Sequence, residues 1–272
     1  MARRRRRKGE SHTGTVIATV LVFAMSGILI TGYAYLKVRA ADNVVLDKTT
    51  LCPVDGPVSA TAVLLDTTDP ISRTTFLDLE NEFEKQMSAV QVGGLLEIYG
   101  LTEEPGELIA IFSGCNPGDG STVDELTSNP RIAQERWEEG YRKPLDGILV
   151  DINPDAPARR SPIMAAVQKI KLTLFDSARA RDIPKRLVIA SDMIEHTNLY
   201  SQYRSGVGYE SYKESDARQA FRTSLDDVMV TFLNFQRQGA KFDAREHGEF
   251  WAEWVADHSG QYERWIRLEG VN

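Results

Sequence analysis

Four short stretches of this chain bring carboxylates and hydroxyls close enough together in sequence to do chemistry. They are Asp66-Thr67-Thr68-Asp69-Pro70-Ile71-Ser72, then Ser161-Pro162-Ile163, then Ser191-Asp192, with His196 just beyond. Carboxylates interleaved with hydroxyls suit a hard divalent cation such as Mg²⁺, which takes oxygen ligands and keeps several of its waters. Zn²⁺ fits less well, because the chain has only two cysteines, Cys52 and Cys115, and no clustered histidines. A second chemistry open to Asp66 is nucleophilic attack on a phosphoester. That reaction commonly wants another Asp two residues on, where Thr68 stands, and a Lys to hold the phosphoryl group, and the sequence has no G-x-x-x-x-G-K phosphate loop. The same Asp, Thr and Ser residues also favour strand exits and helix caps, so residues 66–69 read equally well as a capping turn. His196 reads as a rim histidine. His12, His247 and His258 have no companions that suggest chemistry, and Trp251 and Trp254, at helical spacing, read as core.

The elements that must position these residues are legible as hydrophobic runs. Ser59 to Leu65 is a continuous apolar stretch ending at Asp66, the pattern of a strand buried on both faces. Ser72 opens a helix carrying Phe76, Leu79, Phe83 and Met87 at three- to four-residue spacing. Strands at 94–101 and 107–113 are joined by a connector too short for a crossover helix, so they pair antiparallel. Helices follow over 131–150 and 161–180, the second with Pro162 at its first position behind Ser161. Strands at 186–191 and 228–234 bracket a helix at 216–225. A helix over 243–258 buries Phe250, Trp251 and Trp254, and 262–268 makes a last edge strand. Such alternation predicts an α/β fold, a three-layer, doubly wound, mostly parallel sheet with an antiparallel edge hairpin. Ligands of such sheets sit beyond the C-terminal ends of the strands, where Asp66 and Asp192 both fall.

In the order of its pieces, the stretch from about residue 58 to 235 resembles a von Willebrand factor A (vWA) domain. That family ends its first strand in D-x-S-x-S, supplies a Thr from a second loop and places an Asp at the end of a later strand. Here Asp66 matches the first Asp, Thr68 the first hydroxyl and Asp192 the late Asp, while Ser161 in Ser-Pro-Ile resembles the Thr-Pro-Ile of the second loop. The last hydroxyl of the motif falls on Pro70, which has no side-chain oxygen; Ser72 or Asp69 is the candidate substitute. The resemblance implies an oxygen-only Mg²⁺ site made by Asp66, Thr68, Asp192, Ser161, Asp69 and Ser72, and a partner protein whose acidic side chain completes the coordination.

Location follows from the N-terminus. Arg3 to Arg7 and Lys8 precede Val16–Leu36, 21 residues without a charge. As a helix this segment is roughly 31 Å long, enough to span a bilayer core of about 30 Å. The excess of positive charge before it predicts a cytoplasmic N-terminus and an exported C-terminal domain, periplasmic or extracellular. A cleaved signal peptide is the alternative, although its apolar region commonly runs to only about 7–15 residues. The chain therefore divides into a basic tail (1–15), a transmembrane helix (16–36), a stalk (37–57) and the α/β domain (58–272).

Of 32 Lys+Arg and 39 Asp+Glu, residues 1–40 hold eight and one, leaving 24 basic and 38 acidic residues from 41 onward, a formal charge of −14. An acidic surface without a basic stripe argues against nucleic-acid binding. In an oxidising compartment Cys52 and Cys115 pair as a disulfide. Cys52 lies just ahead of the first strand, and the antiparallel hairpin returns Cys115 to that same edge. These features favour a membrane-anchored protein-binding or assembly module. A phosphohydrolase-like enzyme and a purely structural envelope component are the alternatives, and the partner is not identified.

Overall fold

A computed structural model describes residues 12–41, 44–66, 71–151, 158–235 and 242–268. The basic run at residues 3–8 lies outside the described residues. A single helix, α1 (His12–Ala41), comes first, and its segment Val16–Ala40 is long and apolar enough to cross a membrane. No part of that segment is buried against the rest of the chain, so its apolar side chains are available to lipid.

The domain is built on β1 (Ala60–Leu65), α2 (Arg73–Ser88), β2 (Leu95–Leu101) and β3 (Leu108–Cys115), followed by a helical arm. The arm comprises α3 (Pro130–Trp137), a π-helical turn at Glu138–Arg142 and α4 (Lys143–Asp146). Next come α5 (Ile163–Ile170), β4 (Lys185–Ser191) and the short helices α6 (Gln202–Ser205), α7 (Tyr209–Lys213) and α8 (Asp216–Ala220). β5 (Val228–Phe235), α9 (Ala244–Asp257) and β6 (Gln261–Leu268) complete the domain.

The six strands lie in the order β3-β2-β1-β4-β5-β6. Every neighbouring pair is parallel except β2–β3, which is antiparallel with Leu95 opposite Cys115. This is the vWA-like arrangement expected from the sequence, with the antiparallel pair at one edge. Central β1 has no exposed residue. Its Val63 and Leu65 pack toward Leu79, Phe83 and Met87 of α2 and Tyr141 and Leu145 of the arm. Its Ala62 and Leu64 belong to the opposite face, with Ile163, Val167 and Ile170 of α5 and Trp251 and Trp254 of α9. A strand covered on both faces reads as one apolar run because alternate side chains enter different cores.

Local chemistry sets the helix starts. Ser72 caps α2 by accepting a hydrogen bond from Thr75 N at 3.1 Å. Asn129 caps α3 ahead of Pro130, and Asp243 caps α9 through Arg245 N and Glu246 N. The helix expected over 161–180 is shorter: α5 begins at Ile163 and passes at Lys171 into a π turn. Within that turn the Thr173 hydroxyl donates to Lys169 O at 2.8 Å, a back-bond that competes with regular helical pairing. The helix expected over 216–225 likewise stops at Ala220.

Residues 44–57, part of the segment read as stalk (37–57), lie against the sheet edge. Leu46 bridges Pro53, Cys115 N donates to Thr50 O at 2.8 Å, and Cys52 is bonded to Cys115 with their Cα atoms 4.6 Å apart. Leu51, in the left-handed region at φ 57°, packs on the π turn of the arm, where a Cβ at Gly140 would stand 2.6 Å from its Cδ1.

Candidate functional site at the sheet switch point

The chain leaves β1 for β2 on one side and later returns to place β4 on the other, so a crevice opens where β1 and β4 end. Asp66 and Ser191 lie at this crevice. Asp66 N donates to Ala190 O at 2.8 Å, extending the ladder one step past β1 and fixing the carboxylate at the rim. The Ser191 hydroxyl donates to Asp66 Oδ2 at 2.6 Å, and the Ser161 hydroxyl donates to the same oxygen at 3.2 Å. Three segments distant in sequence thus meet at one carboxylate oxygen, and all three side chains are buried.

Each partner is held from behind. Ser161 forms a two-way backbone bridge with His196, N to O at 3.0 Å in both directions. The Ser191 oxygen also accepts from Met193 N at 2.8 Å. Asp192 turns its Oδ1 onto Ile194 N at 2.9 Å, and Asn234 Nδ2 donates to its carbonyl at 3.1 Å. The next residue, buried Met193, has φ 62°, a conformation that costs a non-glycine residue free energy. Its carbonyl accepts from Trp251 Nε1 and from His247 Nε2, both at 2.8 Å. Burial pushes His247 down to about 4, so at neutral pH it is an uncharged donor that fixes this loop.

Glu195 is a group that sequence reasoning missed. It is fully buried, and its Oε2 accepts from Met164 N at 2.9 Å at the start of α5, where Pro162 supplies no side-chain cap. Burial pushes its carboxyl up to about 8; hydrogen bonds from the α5 backbone oppose the shift, and the nearby Asp66 charge adds to it. Glu195 is therefore mostly protonated at pH 7. The only sequence signal was an acid three residues after Asp192, which by itself distinguishes nothing.

The predicted site residues separate into three groups. Asp66 and Ser161 are hydrogen-bonded to each other, and Asp192 follows directly on Ser191. Ser72 serves as the cap of α2, its hydroxyl also bonded to those of Thr74 and Thr75. Thr68 and Asp69, with Pro70, lie outside the described residues. His196 is at the rim, its Nδ1 2.8 Å from Ser201 Oγ, and burial lowers its pKa.

Among the described residues, no three His, Cys, Asp or Glu side chains gather in a way that could hold a metal. What does gather is one carboxylate oxygen and two hydroxyls, a donor set of oxygen only. Such donors fit a hard cation that retains much of its water, and they do not fit a soft metal.

No family model matches the sequence, and neither does any curated protein. Solved structures similar in shape include an aerotolerance-related membrane protein from Bacteroides fragilis, determined with multiple mutations to serine. It is 11% identical, covering 77% of this chain and 90% of that one at a TM-score of 0.35. The conserved hypothetical protein BatB from Bacteroides thetaiotaomicron is 10% identical, covering 79% and 92% at 0.38. A von Willebrand factor type A protein from Catenulispora acidiphila is 9% identical, covering 76% of this chain and 38% of that one at 0.41. At these identities and TM-scores the likenesses carry no weight for function, and the vWA-like description rests on strand order and polarity.

Proposed function

We propose that this chain is a membrane-anchored vWA-like module that binds a protein partner on the non-cytoplasmic side of the membrane, through a Mg²⁺ site at the sheet switch point. The observation that carries the reading is the meeting of Asp66, Ser161 and Ser191 on one buried carboxylate oxygen, with Asp192 adjacent. In this reading residues 16–36 of α1 are the anchor, residues 1–15 stay cytoplasmic, and 37–57 join the anchor to the domain of 58–272. The cation would be held by Asp66, Ser161 and Asp192, with Thr68 as a further hydroxyl and Asp69 in place of the hydroxyl that Pro70 lacks. Ser72 is a poor ligand here because its oxygen already serves the α2 cap. When bound, Mg²⁺ supplies an open coordination position for a carboxylate of the partner.

The chain's own residues keep the site in shape. His247 and Trp251 lock the carbonyl of Met193, the Ser191 hydroxyl joins the two strand ends, and Glu195, protonated, sits behind Asp66 without adding a second negative charge. An enzymatic reading has less support, because Thr68 occupies the position of the second acid in a phosphohydrolase of this general type.

The test is capture of partners by the full-length protein from its native membrane, with Mg²⁺ and with a chelator, alongside Asp66→Ala. A partner retained only with Mg²⁺ and lost in the variant supports the reading. Capture indifferent to both changes, or turnover of a generic phosphoester abolished by the variant, contradicts it.

A further inference from the structure

A cavity of about 490 Å³ opens between the C-terminal half of α2, the α3–α4 arm and the segment that follows β3. It lies toward the edge where β1 begins, opposite the edge that carries Asp66, and shares no residue with the switch-point site. We infer that it is a second binding site, which receives an apolar side chain flanked by Lys or Arg from a partner protein.

Its size falls within the range of about 300–1,000 Å³ typical of ligand sites. Phe83, Met87, Tyr141 and Leu145 form apolar walls and Trp137, half-buried, contributes a further one. The Tyr141 hydroxyl is buried with no hydrogen-bond partner. Gly118, at φ 74°, forms part of the wall, and a Cβ there would run into Thr122 and crowd Val92.

The rim is acidic. Among the described lining residues, Glu80, Glu84, Asp119 and Asp146 face a single cation, Arg142. Arg142 is already paired with Glu84 at 2.6 Å and with Asp146 at 2.8 Å. Four carboxylates against one guanidinium leave the mouth with three negative charges in excess, and Glu80 and Asp119 are the two carboxylates not paired with Arg142. Asp119 accepts from Ser121 Oγ at 2.6 Å and Ser121 N at 2.9 Å; these bonds hold its carboxyl below the usual range, so it is ionised at neutral pH. An apolar centre behind a mouth with excess negative charge is the complement of an aromatic or aliphatic anchor between basic residues. The −14 formal charge of residues 41 onward works in the same direction, favouring encounter with basic segments.

The test uses the full chain in nanodiscs of zwitterionic lipid, so that basic probes do not collect on the bilayer. Two labelled peptides, acetyl-Lys-Lys-Trp-Lys-amide and acetyl-Glu-Glu-Trp-Glu-amide, are titrated by fluorescence anisotropy, with tryptamine as a small-molecule arm. The expected result is binding of the basic peptide about tenfold or more tighter than the acidic one, with the preference reduced to about threefold or less in Glu80→Gln/Asp119→Asn. Ser88→Trp, at an exposed lining position, should fill the mouth and abolish binding of both peptides. Equal binding of the two peptides, no binding, or binding unaffected by Ser88→Trp in a variant with unchanged circular dichroism would overturn the inference. Binding of tryptamine alone would also overturn it, since the occupant would then be a small amine. Asp66→Ala should leave all these affinities unchanged, so failure here and failure of the cation reading are separable.

Discussion

Glu195→Gln should flatten much of the fall in stability between about pH 5 and about pH 8. The carboxyl of Glu195 is pushed from the ordinary 4.5 to about 8 in the folded protein, mainly because it is fully buried. Between those values the native state holds a proton that the unfolded state has released, so stability falls as pH rises through this window, and the loss is complete above about pH 8. At about 1.36 kcal/mol per pH unit, the gap corresponds to about 5 kcal/mol, an upper figure because a buried carboxylate can recruit water. Glutamine keeps an oxygen for Met164 N and cannot ionise. Its amide needs a partner in a fully buried place, so the variant should be equal to wild type or about 1–2 kcal/mol less stable at pH 5. The assay is denaturant unfolding of the full-length protein in a non-ionic detergent, repeated from pH 5 to pH 9. Relative to wild type, the Gln variant should gain stability from pH 5 to about pH 8, level off above that, and be the more stable of the two at pH 9. Parallel pH profiles would refute the reasoning, because they would mean that Glu195 titrates normally or that its charge is compensated in the fold.

Other consequences follow from the same geometry. Cys52→Ser opens a loop closed across a sequence separation of 63 residues and should cost up to about 4 kcal/mol in the chain-entropy model, read as a lower denaturation midpoint. His247→Gln should weaken the acid-side loss of stability. A histidine lowered to about 4 contributes stability that is fully present above the unfolded value of about 6.5 and is lost as pH falls from there toward 4, a window worth about 3 kcal/mol. Leu79→Ala, at a fully buried α2 position against β1, should cost about 2–5 kcal/mol in the same assay, and a value under about 1 would mean that α2 is not docked as described.

The sheet was legible because its logic is local. β1 betrayed itself as an apolar run ending in Asp66, since a parallel strand with helices on both faces has no polar side to show. The short 102–107 connector forced β2 and β3 to be antiparallel, and that in turn brought Cys115 back to Cys52. Strand ends alone place Asp66 and Asp192 at one edge of the sheet. Ser161 was legible as part of the site but not as what it does locally: it looked like the residue opening a helix, yet its hydroxyl turns to Asp66. The cap of α5 comes instead from Glu195, across a tertiary contact that no sequence spacing encodes. Ser72 shows the converse, a candidate ligand whose nearest backbone donor, Thr75 N, claims it first. Cys52 marked one contact of the 44–57 segment with β3, but the packing of Leu51 on the helical arm was hidden, because Leu51 enters the left-handed region to reach Gly140 and nothing about a leucine advertises that.

The central claim is that the carboxylate and hydroxyls at the end of β1 and β4 take a hard divalent cation. Thermal unfolding of the full-length protein, with and without millimolar Mg²⁺, tests it most directly, because a ligand that binds the folded state raises apparent stability by mass action, about 2.7 kcal/mol at a concentration 100 times Kd. The account predicts a midpoint that climbs with Mg²⁺ in the wild type, does not respond to Zn²⁺ in the same way, and is insensitive to Mg²⁺ in Asp66→Ala. A midpoint unmoved by Mg²⁺ in the wild type, or a shift of equal size in the variant, would contradict it.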